Sequence, residues 1–275
     1  MPSGTIQEEM SAPLSRRQFL SLPLGLLALP ALAGAEPVTR KTFTYQANMA
    51  VLFELMTFNV TGTVVEEIDH GAGQYRVVLT GEGSGVTHRS ESTGVIRAGR
   101  FLPGTSWSAG AVRGRDNRSL TKYDHERGTV ELHSRYHTLI LGRLRQLDDV
   151  LKLPAGQPVD DIISATLNFA AGRLDIDPGG YCYTNVVRRA KAENEGPDDV
   201  SDSGYRAELV PLRFKTQTDP ATGRLTAVID ITRFSSWARS NRPALVTFDQ
   251  ARHVESMKSS LMLGSTVSLR LTSFA

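Results

Sequence analysis

Apolar and polar residues alternate with a period of two along most of the chain beyond residue 40. Phe43, Tyr45 and Ala47 alternate with polar neighbours, and the same pattern runs from Phe58 to Ile68 and from Tyr75 to Leu79. Because successive side chains of a strand point to opposite faces, this pattern predicts strands with one buried face. Further strands are predicted over 93–101, 113–123, 129–136, 181–190, 206–216, 225–234, 244–248, 254–262 and 267–271.

Short, glycine-rich connections join several of these segments. Residues 69–73 and 219–223 have the composition of hairpin loops and turns, and residues 81–85 (Gly-Glu-Gly-Ser-Gly) are interpreted as another hairpin turn. A phosphate-binding loop at 81–85 would need a helix directly after it, and the following residues are strand-like. Parallel strands would need long crossovers, which the chain does not show. The pattern therefore predicts a mainly antiparallel β fold.

Two segments depart from the alternation. Asp160 and Asp161 precede apolar residues spaced three and four apart, and Gly172 follows, which predicts a helix with favourable negative charge at its start. Residues 138–153 contain leucines at helical spacing and end at Pro154, so they predict either a second helix or a continued strand. The expected fold therefore contains one or two helices.

The first 35 residues have the layout of an export signal. A pair of arginines precedes Phe-Leu, an apolar run covers 22–32, and small residues end at Ala35. This order resembles a twin-arginine signal, which the machinery that exports folded proteins recognises. The residues of this signal are Arg16, Arg17, Phe19 and Leu20. A membrane anchor is the alternative, but the run is shorter than the ~20 residues of a spanning helix and prolines interrupt it.

These features predict an address and a domain organisation. Residues 1–35 are expected to be a twin-arginine-type signal peptide cleaved near Ala35, and residues 36–275 a single β-rich domain in the periplasm. The expected product is not an integral membrane protein, and its expected partners include the twin-arginine export machinery. The 31 Lys and Arg nearly balance the 29 Asp and Glu, which argues against a nucleic-acid partner.

Several residues are candidates for chemistry. Cys182 is the only cysteine; it is interpreted as a small strand residue rather than a nucleophile, because no Cys-His signature surrounds it. His133 and His137 share a face of their predicted strand, but their Cβ atoms would lie ~13 Å apart, too far for both to bind one metal. With His125 they remain candidates for acid/base chemistry. No catalytic residue, metal site or cofactor is predicted.

The aromatic residues allow two interpretations. They could line a sheet that curls around a helix and leaves an apolar pocket, or they could form an ordinary core. The residues concerned are Phe43, Tyr45, Phe53, Phe58, Tyr75, Phe101, Trp107, Tyr136, Phe169, Phe214, Phe234 and Trp237. The sequence pattern does not predict which individual residues bind a ligand.

Several short motifs together resemble a known family. They are residues 43–45, 92–96, 101–103, 123–124, 128–131, 159–165, 234–237 and 242–246. Over most of residues 40–273 these motifs resemble the bacterial exported envelope proteins named domain of unknown function 3108. The resemblance implies a curled antiparallel sheet or half-open β-barrel, similar to periplasmic lipoprotein carriers. It implies no catalytic residues.

We therefore predict a non-enzymatic periplasmic protein that binds a lipid or another envelope-derived ligand on the concave face of its sheet. One alternative is a hydrolase of envelope polymers with His125, His133 or His137 in its cleft. Another alternative is an envelope scaffold that pairs with a partner through a sheet edge.

Overall fold

The computed structural model describes residues 38–192, 195–201, 204–239 and 241–275. This part of the chain forms sixteen strands and one α-helix, α1 (Ile162–Ala170). The strands are β1 (Thr39–Val51), β2 (Met56–Asp69), β3 (Gln74–Gly83), β4 (Val86–Arg97), β5 (Arg100–Val112), β6 (Arg115–Asp124), β7 (Thr129–His137), β8 (Leu144–Lys152), β9 (Val159–Asp160), β10 (Asp175–Ile176), β11 (Cys182–Arg189), β12 (Ala207–Thr218), β13 (Leu225–Ile229), β14 (Ala244–Phe248), β15 (Val254–Ser260) and β16 (Thr266–Phe274). The predicted mainly β fold is confirmed.

All sixteen strands belong to one sheet. The strand order runs β10–β11–β12–β13–β14–β15–β16–β1–β2–β3–β4–β5–β6–β7–β8, and the short β9 pairs in parallel with β11. Along this path each strand is antiparallel to its neighbour, because tight turns connect most of them. Strand β1 pairs with both β2 and β16, so the sheet is continuous between the first and last described strands.

The sheet curls but does not close. Strands β10 and β8 are its two edges. No backbone ladder joins the described strand β8 to β10–β12, and we call this boundary the seam. Side chains bridge it, since Asp149 on β8 accepts a hydrogen bond from the Ala207 backbone N–H on β12 at 2.8 Å. Arg145, also on β8, donates to the carbonyl of Asp199 at 2.6 Å. The expected curled, half-open sheet is therefore confirmed.

Helix α1 lies inside the curl and connects two parts of the core. Leu167 belongs to a buried cluster with Ile68, Tyr75, Val77 and Phe101. Phe169 belongs to a second cluster with Leu174, Phe214, Ala227, Val246 and Phe248. A third cluster, near the seam, joins Tyr123, Val130, Leu132 and Leu147 to Val159, Val187 and Ala207. The helix thus fills the interior where both halves of the sheet contact it.

The predicted second helix over 138–153 is wrong, and its alternative, a strand, is correct for the greater part of this segment. A turn closes with a hydrogen bond from the Thr138 N–H to the Arg143 carbonyl at 2.9 Å, and Gly142 has a positive φ of 66°. The chain then pairs along β7 as β8. The reason is tertiary, because β7 offers an unpaired edge whose backbone groups bind this segment.

Two predicted strands run into hairpin turns. The segment 93–101 contains the turn at Ala98 and Gly99, with φ values of 51° and 75°, and the segment 113–123 begins with the turn at Arg113 and Gly114, with φ values of 53° and 75°. Two-residue hairpin turns of type I′ need positive φ at both positions, and neither Ala nor Arg signals such a turn. The predicted turn within 81–85 is confirmed, since it joins β3 to β4.

The predicted export signal, with Arg16, Arg17, Phe19 and Leu20, lies outside the described residues. Among the residues that are described, no helix is long and apolar enough to cross a membrane.

Candidate ligand-binding site

The alternation of β1 places one set of its side chains on the concave face of the sheet. Tyr45, Ala47 and Met49 belong to this set, and in the register of β1 with β2 they lie opposite Gly62, Val60 and Phe58. The residues that lie opposite this set on β3, β4 and β5, and on β16 at the other side of β1, point to the same face. The concave face is therefore apolar at the end of the sheet that carries the β1–β2 and β5–β6 turns.

An apolar cavity of about 280 Å³ lies on this face. Its lining consists of Tyr45, Ala47, Met49, Phe58, Val60, Gly62, Thr63, Val64, Leu79, Thr80, Gly81, Val86, His88, Val112, Val267 and Leu269. Most of the aliphatic side chains in this lining are only half-buried. Helix α1 contributes none of these residues, so the described part of the interior is filled beside the helix and open here. The volume is near the lower end of the ~300–1,000 Å³ typical of small-molecule sites.

Two facing glycines form the floor of the cavity. Gly62 on β2 lies opposite Gly81 on β3. A Cβ atom at Gly62 would lie 2.7 Å from the Thr80 carbonyl oxygen, which is closer than side chains approach backbone. Glycine at this position permits close approach of the two strands, which is typical where a sheet bends sharply. It also leaves the floor without side chains, so the cavity reaches the backbone.

The polar groups of the lining are neutral. Burial raises the pKa of the Tyr45 phenol, and its hydroxyl donates to the Val254 carbonyl at 3.0 Å. His88 is exposed to solvent overall, but partial burial of its ring lowers the pKa of the imidazole. Its Nε2 lies 3.0 Å from the Ser90 hydroxyl. No Asp, Glu, Lys or Arg occurs among the described lining residues. A site of this composition binds apolar groups, because it offers no partner for a charge.

A buried polar cluster holds the start of α1. Asp161 is the N-cap: its carboxylate accepts hydrogen bonds from the Ser164 N–H and the Ser92 hydroxyl, each at 2.6 Å. The Ser164 hydroxyl lies 3.0 Å from the Asp161 N–H, which completes a capping box. The predicted helix start at Asp160 and Asp161 is confirmed, with Asp161 as its cap, and burial raises the pKa of the Asp161 carboxyl.

Asp160 has a role that the sequence did not predict. Its carboxylate is fully buried and accepts hydrogen bonds from Arg100 at 2.7 Å, from Thr184 at 2.6 Å and from Asn168 at 3.0 Å. Burial raises the pKa of this carboxyl, and the adjacent guanidinium opposes that shift. Asp160 therefore ties together β5, β9, β11 and α1. We assign it to the fold rather than to ligand binding, since it does not line the cavity.

Glu66 is a buried acid on the concave face, and its burial predicts a specific dependence of protein stability on pH. The Glu66 residue is 7% exposed, and burial raises the pKa of its carboxyl, while positive charge on His253 and Lys41 opposes the shift. Since the folded-state pKa lies above the ordinary one, the folded state binds the proton more tightly than the unfolded state. The free energy of unfolding therefore decreases as the pH rises through this range. Replacing Glu66 with Gln is expected to stabilise the protein at neutral pH, by an amount that shrinks towards acidic pH.

Urea unfolding of the E66Q variant and the wild type between about pH 4 and pH 8 measures this difference. The matched control is E67Q, because Glu67 lies on the opposite face and pairs with exposed Arg40 and Arg76. A difference in the free energy of unfolding between E66Q and the wild type that stays constant over this pH range would contradict the raised pKa of Glu66.

The three candidate histidines occupy separate environments. His125 bonds through Nε2 to the Pro103 carbonyl at 2.7 Å, and His137 bonds through Nδ1 to the Asp116 carbonyl at 2.9 Å. His133 lies 2.9 Å from Asp148 on the convex face of the sheet. Among the described residues no group of three or more His, Cys, Asp or Glu is placed to hold a metal ion.

Some of the aromatic residues follow each interpretation, whereas Phe53 and Tyr136 are exposed and follow neither. Tyr45 and Phe58 line the cavity, whereas Phe43, Tyr75 and Phe169 are buried in the core. The remaining lining is aliphatic, and its sequence signal was the alternation itself. Cys182 is partly buried beside the cluster around Phe169, and burial raises the pKa of its thiol.

The comparisons with known proteins concern the fold. No protein family and no curated protein matches the chain. A crystal structure of a β-barrel-like protein of domain of unknown function DUF1849 from Brucella abortus is 12% identical, with 86% of this chain and 97% of that chain covered and a TM-score of 0.41. A putative outer membrane lipoprotein-sorting protein domain from Vibrio parahaemolyticus is 10% identical, with coverages of 86% and 84% and a TM-score of 0.21. A DUF1329 family protein from Desulfovibrio piger is 8% identical, with coverages of 87% and 86% and a TM-score of 0.21. The resemblance to domain of unknown function 3108 stays a prediction.

Proposed function

We propose that this protein binds an apolar chain of a cell-envelope lipid in the cavity on the concave face. The observation that carries the proposal is a cavity whose lining has apolar side chains that remain half-buried and no ionised groups. Each methylene removed from water in such a site contributes roughly 0.8 kcal/mol. The proposed location is the periplasm, with export through Arg16 and Arg17 and cleavage near Ala35.

The position of the cavity supports exchange of the ligand at one end of the sheet. Met49 and Phe58 flank the β1–β2 turn, at whose tip the Phe53 and Leu55 residues are 74% and 82% exposed. Val112, also in the lining, directly precedes the β5–β6 turn. An apolar chain that leaves the cavity at this end therefore meets apolar side chains before it meets water.

The test is a variant that fills the cavity. Ala47→Phe places a ring in the space between β1, β2 and β16, and we expect it to weaken binding of the fluorescent apolar probe N-phenyl-1-naphthylamine by about tenfold or more. Binding is measured by fluorescence titration of the chain exported through its native signal and purified without detergent. Native mass spectrometry before and after organic extraction identifies the ligand that the cell supplies.

The matched control is Asn48→Phe, because Asn48 is the exposed neighbour of Ala47 and points to the opposite face. This variant is expected to bind the probe like the wild type. Circular dichroism verifies that both variants fold. Equal probe affinities for folded A47F and N48F would contradict the proposal.

A further inference from the structure

Three arginines form a row across the convex face of the sheet. Arg118 on β6 lies directly opposite Arg135 on β7, and on the other side of Arg118 the register continues through Ala109 on β5 to Arg89 on β4. Neighbouring strands are ~4.8 Å apart, so the backbone positions of the three arginines lie within about 15 Å. Thr80 on β3 continues the row beyond Arg89.

Few carboxylates of the described residues pair with the arginines of this row. Arg118 and Arg135 form no ion pair within the described part of the chain. Arg89 reaches Glu91 only at 3.5 Å, whereas Glu91 accepts hydrogen bonds from Arg76 at 2.7 and 3.1 Å.

Asp148 is the acid whose pKa the charge of Arg118 helps to lower. Its two carboxylate oxygens bond to His133 at 2.9 Å and to Gln146 at 3.1 Å. The row therefore keeps positive charge that the protein itself does not neutralise.

The three arginines line a groove of about 1060 Å³. Thr61, Thr63, Thr80 and Thr87 line the same groove. The hydroxyls of Thr63 and Thr80 bond to each other at 2.7 Å, and that of Thr87 accepts from the Ala111 N–H at 3.2 Å, which leaves each with capacity for a further hydrogen bond. The acids Glu82 and Asp116 lie one row closer to the turns, and Arg115 there is occupied by the carbonyls of residues 138–140. The arginine row is thus the part of the groove that is free to bind an anion.

Two like charges directly opposite each other on neighbouring strands destabilise a sheet. Such an arrangement at Arg118 and Arg135 has a physical reason if an anion lies between the two side chains. The planar guanidinium binds phosphate through two parallel hydrogen bonds, and hydroxyl groups suit the hydroxyls of a sugar.

We propose that the groove on the convex face binds a phosphorylated sugar, with Arg89, Arg118 and Arg135 on the phosphate and the threonine hydroxyls on the sugar ring. The arginine side chains lie on the opposite face of the sheet from the apolar cavity, although Gly62, Thr63, Thr80, Gly81 and His88 line both. The proposed anion site does not depend on the proposed function. The same chemistry occurs in a free sugar phosphate and in a lipid headgroup.

The test uses the double variant R118Q/R135Q of the full chain. We expect calorimetric titration with glucosamine 1-phosphate, or cosedimentation with phosphatidylethanolamine vesicles that contain lipid A, to show binding that the double variant weakens by about tenfold or more. We also expect the thermal unfolding midpoint of the double variant to be unchanged or higher, because a like-charge contact has been removed. A structural role for these arginines would move the midpoint in the opposite direction.

The control variant is R76Q, because Arg76 lies on the same face but is held by Glu67 and Glu91. It is expected to bind both probes like the wild type. Binding of the free sugar phosphate supports a site for the sugar phosphate itself, and binding of the vesicles alone supports a lipid headgroup as its source. The proposal would be overturned if the wild type bound neither probe, or if R76Q and R118Q/R135Q lost binding equally. It would also be overturned if the double variant were less stable than the wild type and bound the probes normally.

Discussion

Replacing Asp160 with alanine is expected to lower the free energy of unfolding by about 3–5 kcal/mol, the effect of removing one partner of a buried ion pair. The carboxylate is fully buried, and its loss leaves the guanidinium of Arg100 without its ion-pair partner and the hydroxyl of Thr184 without its acceptor, although Arg100 keeps its hydrogen bond to the Arg173 carbonyl. Arg100 already has one buried nitrogen, Nε, without a hydrogen-bond partner, so it has little means to compensate. The loss is therefore expected to loosen the contacts between α1, β5 and β11 together.

Urea unfolding of D160A and the wild type measures this effect. Asp148→Ala is the matched control, because its carboxylate also pairs with a basic side chain, His133, but does so at the surface. We expect D148A to change the unfolding midpoint little. Similar midpoints for the two variants would show that Asp160 does not hold α1 in place.

Replacing Asn168 with leucine is expected to lower the free energy of unfolding by about 2–6 kcal/mol. The buried amide of Asn168 accepts a hydrogen bond from the Phe101 N–H at 2.8 Å and donates one to the Phe101 carbonyl at 2.9 Å. The amide thereby pairs with β5 as a neighbouring strand would. Its loss leaves two buried backbone groups without partners, each at a cost of about 1–3 kcal/mol.

Hydrogen exchange at the Phe101 amide is the specific measurement, since N168L is expected to accelerate it while amides of β14 follow global stability. Asn185→Leu serves as the control, because Asn185 is only partly buried and its side chain donates one hydrogen bond, to the Pro158 carbonyl at 3.0 Å. We expect it to cost about 0.5–1.5 kcal/mol. Unchanged exchange at Phe101 in N168L would refute the pairing of this amide with β5.

These two side chains also explain why the interior is filled at one end and open at the other. Asp160 and Asn168 hold α1 against the Phe101 end of β5, and Leu167 and Phe169 fill the space there. The helix has nine residues, about 14 Å at 1.5 Å per residue, whereas β1 has thirteen residues, about 43 Å at 3.3 Å per residue. A helix of this length cannot fill the whole curl, and the apolar cavity is the part it leaves open.

Local patterns in the sequence determined most of the element types and the faces of the strands. Alternation in β1 identified Tyr45 and Ala47 as one face, and it did so before any partner strand was known. The capping signal at Asp161 likewise depends on neighbours within one turn of helix. These predictions succeeded because the physics that produces them acts over a few residues.

Tertiary structure decided which of these faces meet. The segment 144–152 has leucines at helical spacing, yet it became β8 because the edge of β7 was available. Ala47 and Val267 line one cavity, and Arg118 and Arg135 lie side by side, only because strand order and register bring them together. Alternation specifies a face, but neither the partner strand nor the register, since those depend on backbone hydrogen bonds between distant segments. Asp160 illustrates the same limit, because its position before a helix was visible in the sequence and its burial against Arg100 and Thr184 was not.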